Sequence, residues 1–186
     1  MMPPLLKKKS FWILLASFFV LAWVGQTAYR TLADRQEEEK YRLLQEGDEM
    51  PATMPFLSLE GKYSNYSDYR GKVVLVNFWA AWCAPCLKEM PSIYALQGKF
   101  KEKGLVVLGV AMDENLETGV STLNRIVGPA PFLMVKGLEQ AIANRFPIEG
   151  LPYTVVIDRV GKIRYARPGE RDWNDKGSVA LVEEML

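Results

Sequence analysis

The run from Val73 to Trp79 (VVLVNFW) is an unbroken series of apolar, mostly β-branched or aromatic side chains with one amide, Asn77, inside it. Strict alternation of apolar and polar residues would mark a strand wetted on one face. A continuous run marks a strand covered on both faces, the usual condition of an interior strand in an α/β sheet. A second run of this kind, Leu105–Ala111 (LVVLGVA), lies beyond a segment with helical spacing from about Pro85 to Lys101, in which Leu87, Met90, Tyr94, Leu96 and Phe100 recur on one face. Strand, helix and strand in that order predict a βαβ unit. Further along, the pattern predicts a helix over Leu116–Val127, a short strand over Phe132–Val135 and a helix over Leu138–Phe146. Tyr153–Asp158 and Lys162–Ala166 read as two strands joined through Arg159-Val160-Gly161, and a helix over Ser178–Leu186 closes the chain. A βαβ start and a ββα end on one sheet give an α/β domain with a mixed central sheet flanked by helices.

Between the first strand and the first helix stands Trp79-Ala80-Ala81-Trp82-Cys83-Ala84-Pro85-Cys86, which holds both cysteines of the 186-residue chain. Two thiols three positions apart at a helix start can close a disulfide over one turn. Cys83 there meets unpaired backbone N–H groups and the positive end of the helix dipole, which favour thiolate over thiol. Pro85 suits the first turn, where its missing N–H costs nothing. Cys86, one turn further in, is the less accessible partner. The chemistry that follows is two-step exchange, with Cys83 attacking a substrate disulfide and Cys86 resolving the mixed disulfide. The competing readings are half of a zinc site and a pair of inert core cysteines. With no histidine and no other cysteine in the chain, zinc would be left with carboxylates alone to complete its ligand set. The absence of histidine also excludes Ser–His and Cys–His nucleophile pairs. A balance of 23 basic against 22 acidic residues leaves no bulk charge for a phosphate backbone, so no nucleic-acid partner is expected.

The N-terminal part is of another character. Lys7-Lys8-Lys9 precedes Phe11–Ala28, which carries no charge and has Ser17, Gly25, Gln26 and Thr27 as its polar or glycine positions. As a helix it would be roughly 27 Å long, enough to span a hydrocarbon core. Trp12, Trp23 and Tyr29 stand where they could sit at the two interfaces. A cleaved leader is the alternative, but the run is longer than an ordinary leader core and no small-x-small pair directly follows it. Three lysines before the run, against Arg30 and Arg35 within ten residues after it, favour a cytoplasmic N-terminus. The resulting organisation is a stub at 1–10, a transmembrane anchor at 11–28, a charged connector at 29–50 and a domain at 51–186. The connector, with its Glu37-Glu38-Glu39 triplet, reads equally as a solvated spacer or as a segment that docks Tyr41, Leu43 and Leu44 on the body.

NFWAAWCAPC resembles the active-site segment of thioredoxin-fold proteins, and the layout resembles the membrane-anchored thiol–disulfide oxidoreductases of the TlpA/ResA type. Leu59-Glu60-Gly61-Lys62 and Leu75–Trp79 resemble the approach strands of that family, Gly109–Asp113 its second strand and loop, Gly150-Leu151-Pro152 its cis-proline turn, and Val156–Ile163 its final hairpin. The resemblance implies a thioredoxin-like fold and a redox-active Cys83–Cys86 disulfide with no cofactor and no metal. It implies a cis Pro152 beside the sulfurs, with the backbone of Leu151 free to bind a peptide substrate. Where the family usually continues from this proline with Thr, this chain has Tyr153 and then Thr154, a departure at the rim of the groove. Asn77 stands where ordinary thioredoxins carry a proton-accepting Asp. Glu89, three residues after Cys86, matches the family's C-x-x-C-x-x-E and is the candidate proton acceptor, the bland alternative being a solvated glutamate beside Lys88. Trp82 is expected to shield one side of the site, or else to stand exposed for docking. Asp113-Glu114-Asn115 is expected to cap the following helix, Met90, Met112 and Met134 to lie in the core, and Pro91 to kink the first helix.

The function implied is a membrane-tethered reductase on the periplasmic or extracytoplasmic side of the cytoplasmic membrane. Its implied partners are protein disulfides, either apocytochrome c or a copper-site protein, and a transmembrane thiol reductase as electron donor. The alternatives are a Cu(I)-binding metallochaperone module and a disulfide-donating oxidase.

Overall fold

The computed structural model describes residues 6–58, 61–137 and 145–186. It comprises two units, an N-terminal one ending at Arg42 and a packed one from Leu43 to Leu186. In the first unit a helix, α1, runs from Leu6 to Tyr41. Its stretch Phe11–Arg35 is long and apolar enough to cross a membrane, and Phe11, Trp12, Leu14, Phe18, Phe19, Leu21 and Trp23 all point outward from it. It is a candidate membrane span. Helix therefore continues well past Ala28, through the first part of the charged connector. Residues 1–5 of the expected stub lie outside the described residues.

The second unit is built on a seven-stranded mixed sheet in the order β2-β1-β5-β4-β3-β6-β7. Its strands are β1 (Pro55–Ser58), β2 (Tyr63–Asn65), β3 (Val73–Trp79), β4 (Leu105–Ala111), β5 (Leu133–Gly137), β6 (Tyr153–Ile157) and β7 (Ile163–Pro168). β3 pairs in parallel with β4, Trp79 opposite Ala111, and antiparallel with β6, Asn77 opposite Thr154. The helices of this unit are α2 (Ala84–Phe100), α3 (Leu116–Ile126) and α4 (Lys176–Glu183). The expected helix over Leu138–Phe146 falls mainly on 138–144, outside the described residues. The expected approach strand at Leu59-Glu60-Gly61-Lys62 falls partly outside the described residues. Leu59 and Glu60 lie outside the described residues, and Gly61 (φ +73°) belongs to the turn joining β1 to β2.

Every residue of β3 is buried, as its continuous apolar pattern requires. Alternation along the strand divides the core into two layers. Val73, Leu75 and Trp79 join Cys86, Met90, Ile93 and Phe100 of α2, whereas Val74, Val76 and Phe78 join Phe56, Tyr66, Phe146 and Tyr153. Asn77 falls on the α2 side. Met90 and Met134 are core residues as expected, with Met112 partly buried. α2 runs on through Pro91 to Phe100 as one helix.

The packed unit starts before Pro51, and the second half of the expected connector belongs to it. Leu44 and Met50 are buried with Phe56 and Phe146. Gly47 N donates to Ile163 O and Met50 N to Gly161 O, while Asp48 O accepts from Ile163 N. The Glu46 carboxylate accepts from Ala166 N at 3.2 Å and from Arg167 Nε at 3.1 Å. Residues 46–50 thus cover part of the open edge of β7, whose backbone groups would otherwise be left to other chains.

Candidate active site

Trp79 ends β3, and the chain turns at once: Cys83 N donates to Ala80 O. Cys83 is the N-cap of α2, with extended backbone (φ −90°, ψ 99°) and Pro85 in the first turn. Its Sγ accepts from the backbone N–H of Cys86 at 3.2 Å, so the sulfur takes the place of the usual capping oxygen over otherwise unpaired N–H groups. The two cysteines form a disulfide with their Cα atoms 5.3 Å apart. Cys83 retains 5% exposure and Cys86 none. This is the asymmetry that the positions at the helix start imply, with the outer cysteine the more accessible of the two.

The peptide bond between Leu151 and Pro152 is cis, as the resemblance implies. Pro152 leads into β6 beside the end of β3, and its carbonyl accepts from Gly169 N at 2.8 Å. Leu151 packs against the cluster that contains both cysteines. Among the described residues its backbone N–H and carbonyl join no turn or loop hydrogen bond. The departure at Tyr153 leaves this rim untouched. Strand alternation turns the Tyr153 ring to the other side of the sheet, where it lies 6.2 Å from Phe78 and 6.2 Å from Phe146, and brings Thr154 to the side of Asn77.

Glu89 is not a solvated helix residue. It is 2% exposed, and Lys88 pairs instead with Glu170 at 2.6 Å. Asn77 Nδ2 donates to Glu89 Oε1 at 2.7 Å and to Thr154 Oγ1 at 2.9 Å. Arg171 N donates to Glu89 Oε2 at 3.1 Å. The amide that replaces a carboxylate on β3 therefore acts as a donor, and the carboxyl it holds comes from α2, one turn beyond Cys86. Loss of water raises the Glu89 pKa from 4.5 to about 7, against the opposing pull of the Asn77, Arg171 and Trp173 N–H groups and with a further push from Glu170. Trp173 Nε1 makes no geometrically formed hydrogen bond, so its part is the weaker one. A group half-ionised near neutral pH can both take and return a proton.

The segment after β7 closes this chamber. Trp173 N donates to Ser92 Oγ, which donates to Glu89 O. The Arg171 guanidinium lies 5.2 Å from the Tyr165 ring and 5.3 Å from the Trp173 ring, and its Nε donates to Ser178 Oγ. Thr154, Arg171 and Trp173 were not legible as site residues. Thr154 alone carried a signal, since a polar residue inside the apolar run YTVVI is unusual on a buried strand.

Two further expectations need correction. Trp82 is 72% exposed; it follows the tight turn from Ala80 and projects outward, so the structure shows the exposed alternative and not a residue buried against the site. Asn115 does cap α3, accepting from Thr118 N at 2.9 Å. Asp113 does not share in the capping; both of its oxygens face Ala81 N, at 3.2 and 3.1 Å.

Solved structures share this architecture. The thioredoxin domain of a thiol-disulfide oxidoreductase from Bacteroides vulgatus is similar with a TM-score of 0.63 and 26% identity, over 76% of this chain and 97% of that one. A thiol:disulfide interchange protein of the thioredoxin family from Chlorobium tepidum is similar with a TM-score of 0.58 and 25% identity, over 74% and 98%. A thioredoxin-like sheet carrying a cysteine pair at the head of α2 and a cis-proline turn beside it defines a thiol–disulfide oxidoreductase. The chain belongs to the redoxin family, whose model matches residues 45–186. Among its relatives, the thiol-disulfide oxidoreductase ResA of Bacillus thuringiensis (strain Al Hakam) is 35% identical over 141 residues, 75% of this chain and 76% of that protein. ResA of Halalkalibacterium halodurans is 31% identical over 159 residues, 84% and 85%.

Proposed function

We propose that this oxidoreductase is a reductase of protein disulfides, tethered by Phe11–Ala28 to the cytoplasmic membrane with its domain on the periplasmic or extracytoplasmic side. The observation that carries the reading is the graded access of the pair, with Cys83 slightly open and Cys86 sealed above a buried carboxyl whose pKa lies about 7. In the reduced protein the Cys83 thiolate attacks one sulfur of a substrate disulfide. The substrate S–S bond breaks, a mixed disulfide forms, and the second substrate sulfur leaves as a thiolate that takes a proton from water. Glu89 then accepts the proton of Cys86, whose sulfur attacks Cys83 Sγ. The mixed disulfide breaks, the first substrate sulfur leaves as a thiolate that takes the proton back from Glu89, and two electrons have passed from the cysteine pair to the substrate. The Leu151 backbone and the exposed Trp82 hold the substrate peptide across the sulfurs. The substrates in this reading are apocytochrome c or copper-site cysteines, with a transmembrane thiol reductase restoring the dithiol. A tether raises the local concentration of the reductant at membrane-linked assembly work, in a compartment where disulfides otherwise persist. The test is trapping. Cys86→Ser accumulates a mixed disulfide with its substrate, and mass spectrometry of the trapped partner identifies it, whereas Cys83→Ser traps nothing. The reverse pattern would overturn the assignment of roles.

A further inference from the structure

The carboxylate of Asp113 is unexplained by the reaction as described. β3 and β4 run parallel with Trp79 opposite Ala111, and Met112 N donates to Trp79 O at 2.8 Å. The loops leaving the two strands therefore start side by side. Two residues beyond each strand end, Asp113 turns both carboxylate oxygens to Ala81 N. Ala81 stands in the short turn that delivers Cys83 to the head of α2. Within the turn Cys83 N donates to Ala80 O at 3.1 Å, and Cys83 is held to α2 by its disulfide and by the bonds from Cys86 N and Leu87 N; the bond to Asp113 is what joins Ala81 to the loop after β4.

Opposite Asp113 is Gly119 in the first turns of α3, buried and with ordinary helical backbone. A Cβ at Gly119 would lie 2.6 Å from Asp113 Oδ2 and 2.9 Å from its Cγ, closer than real contacts allow. Glycine costs helix stability at such a position, and nothing in its backbone conformation calls for it. What it provides is room for the carboxylate between α3 and the cysteine turn.

We infer that Asp113 is a positioning residue of the reaction: it holds the Ala80–Cys83 turn through Ala81 N, so that Cys83 Sγ stays over the first N–H groups of α2, and Gly119 is small in order to admit it. The inference rests on Cys83 as the attacking thiol. A charge-assisted bond to a backbone N–H is stronger than a neutral one, and small displacements of a reacting group lower rates steeply.

Three variants at two positions on separate elements test it, each made in the full chain in detergent. Asp113→Ala removes the acceptor and should lower the rate of protein-disulfide reduction by about tenfold or more, while Asp113→Asn, whose carbonyl still accepts from Ala81 N, should recover most of that loss. Gly119→Ala leaves Asp113 in place chemically and displaces it sterically. Alanine favours helix, but its Cβ overpacks this buried position, so a modest fall in melting temperature is expected; the deciding readouts are the pH midpoint for alkylation of Cys83, which moves upward, and the rate of reduction, which falls. Wild-type turnover in Asp113→Ala, or a wild-type alkylation midpoint and rate in Gly119→Ala, would overturn the inference. Alkylation requires no substrate and judges Asp113 by itself; a wild-type protein that alkylates normally yet reduces no protein disulfide would instead count against the proposed function.

Discussion

Replacing Glu89 by Gln should make the oxidised protein more stable at alkaline pH and a worse catalyst at neutral pH. Glu89 ionises at about 7 in the native state against an ordinary 4.5. Between those values the native state holds a proton that the unfolded chain has already released. Stability contributed by this group is therefore complete below about 4.5 and lost as pH rises to about 7. Above that the ionised, buried carboxylate costs the native state about 3 kcal/mol. Gln removes the cost and keeps an acceptor for Asn77 Nδ2. It loses one acceptor, because its amide nitrogen faces Arg171 N in place of Oε2, at about 1 kcal/mol. The net expectation is a gain of about 2 kcal/mol at about pH 8 and a loss of up to about 1 kcal/mol at about pH 4. Urea unfolding of the oxidised protein at several pH values measures both. In the reduced protein the same substitution removes a negative charge near the thiols, which should lower the titration midpoint of Cys83. It also removes the acceptor for the Cys86 proton, which should slow turnover by about 10²-fold. Because the groups titrate together, whole pH profiles are the proper comparison. A stability difference independent of pH, or an unchanged rate, would refute the reasoning.

Trp82→Ala should change stability by no more than about 0.5 kcal/mol, since the side chain stands in solvent, yet raise KM for protein disulfides several-fold with little effect on a small-molecule disulfide; an unchanged KM, or a large drop in melting temperature, would remove Trp82 from the docking surface. For topology, the protein should stay with membranes through high-salt washing, and a reporter fused after Leu186 should be active outside the cytoplasm. Activity of that reporter in the cytoplasm alone would sink the proposed orientation, and a fully soluble protein would indicate a cleaved leader.

The readable parts of this protein are those whose physical cause is local. The burial of Val73–Trp79 follows from a pattern with no polar face, and the hairpin of β6 and β7 from its Gly161 turn, where Asp158 Oδ1 accepts from Val160 N and Lys162 N. The cap formed by Cys83 follows from a thiol and a proline at a helix start. Elements that depend on a distant partner were not readable. β1 and β2 are four and three residues long, too short for periodicity, and form because they pair with each other and β1 pairs with β5. Residues 43–50 look like linker because their polar groups are matched to the edge of β7, more than a hundred residues on.

The active site divides along the same line. By itself the sequence determined that a reactive pair would stand at a helix N-terminus with a carboxylate one turn further on, since spacing along a helix is a matter of backbone geometry. Only the tertiary structure decided what that carboxylate is. Asn77 reaches it from β3 and Arg171 N from the segment after β7, and together with Trp173 they exclude the water that would have kept Glu89 an ordinary surface acid. The pKa of a group is set by what surrounds it, and those surroundings come from parts of the chain that meet only when the sheet is assembled. The same holds for Trp82, exposed because the turn aims it outward, and for Asp113, which reaches Ala81 because two parallel strands end side by side.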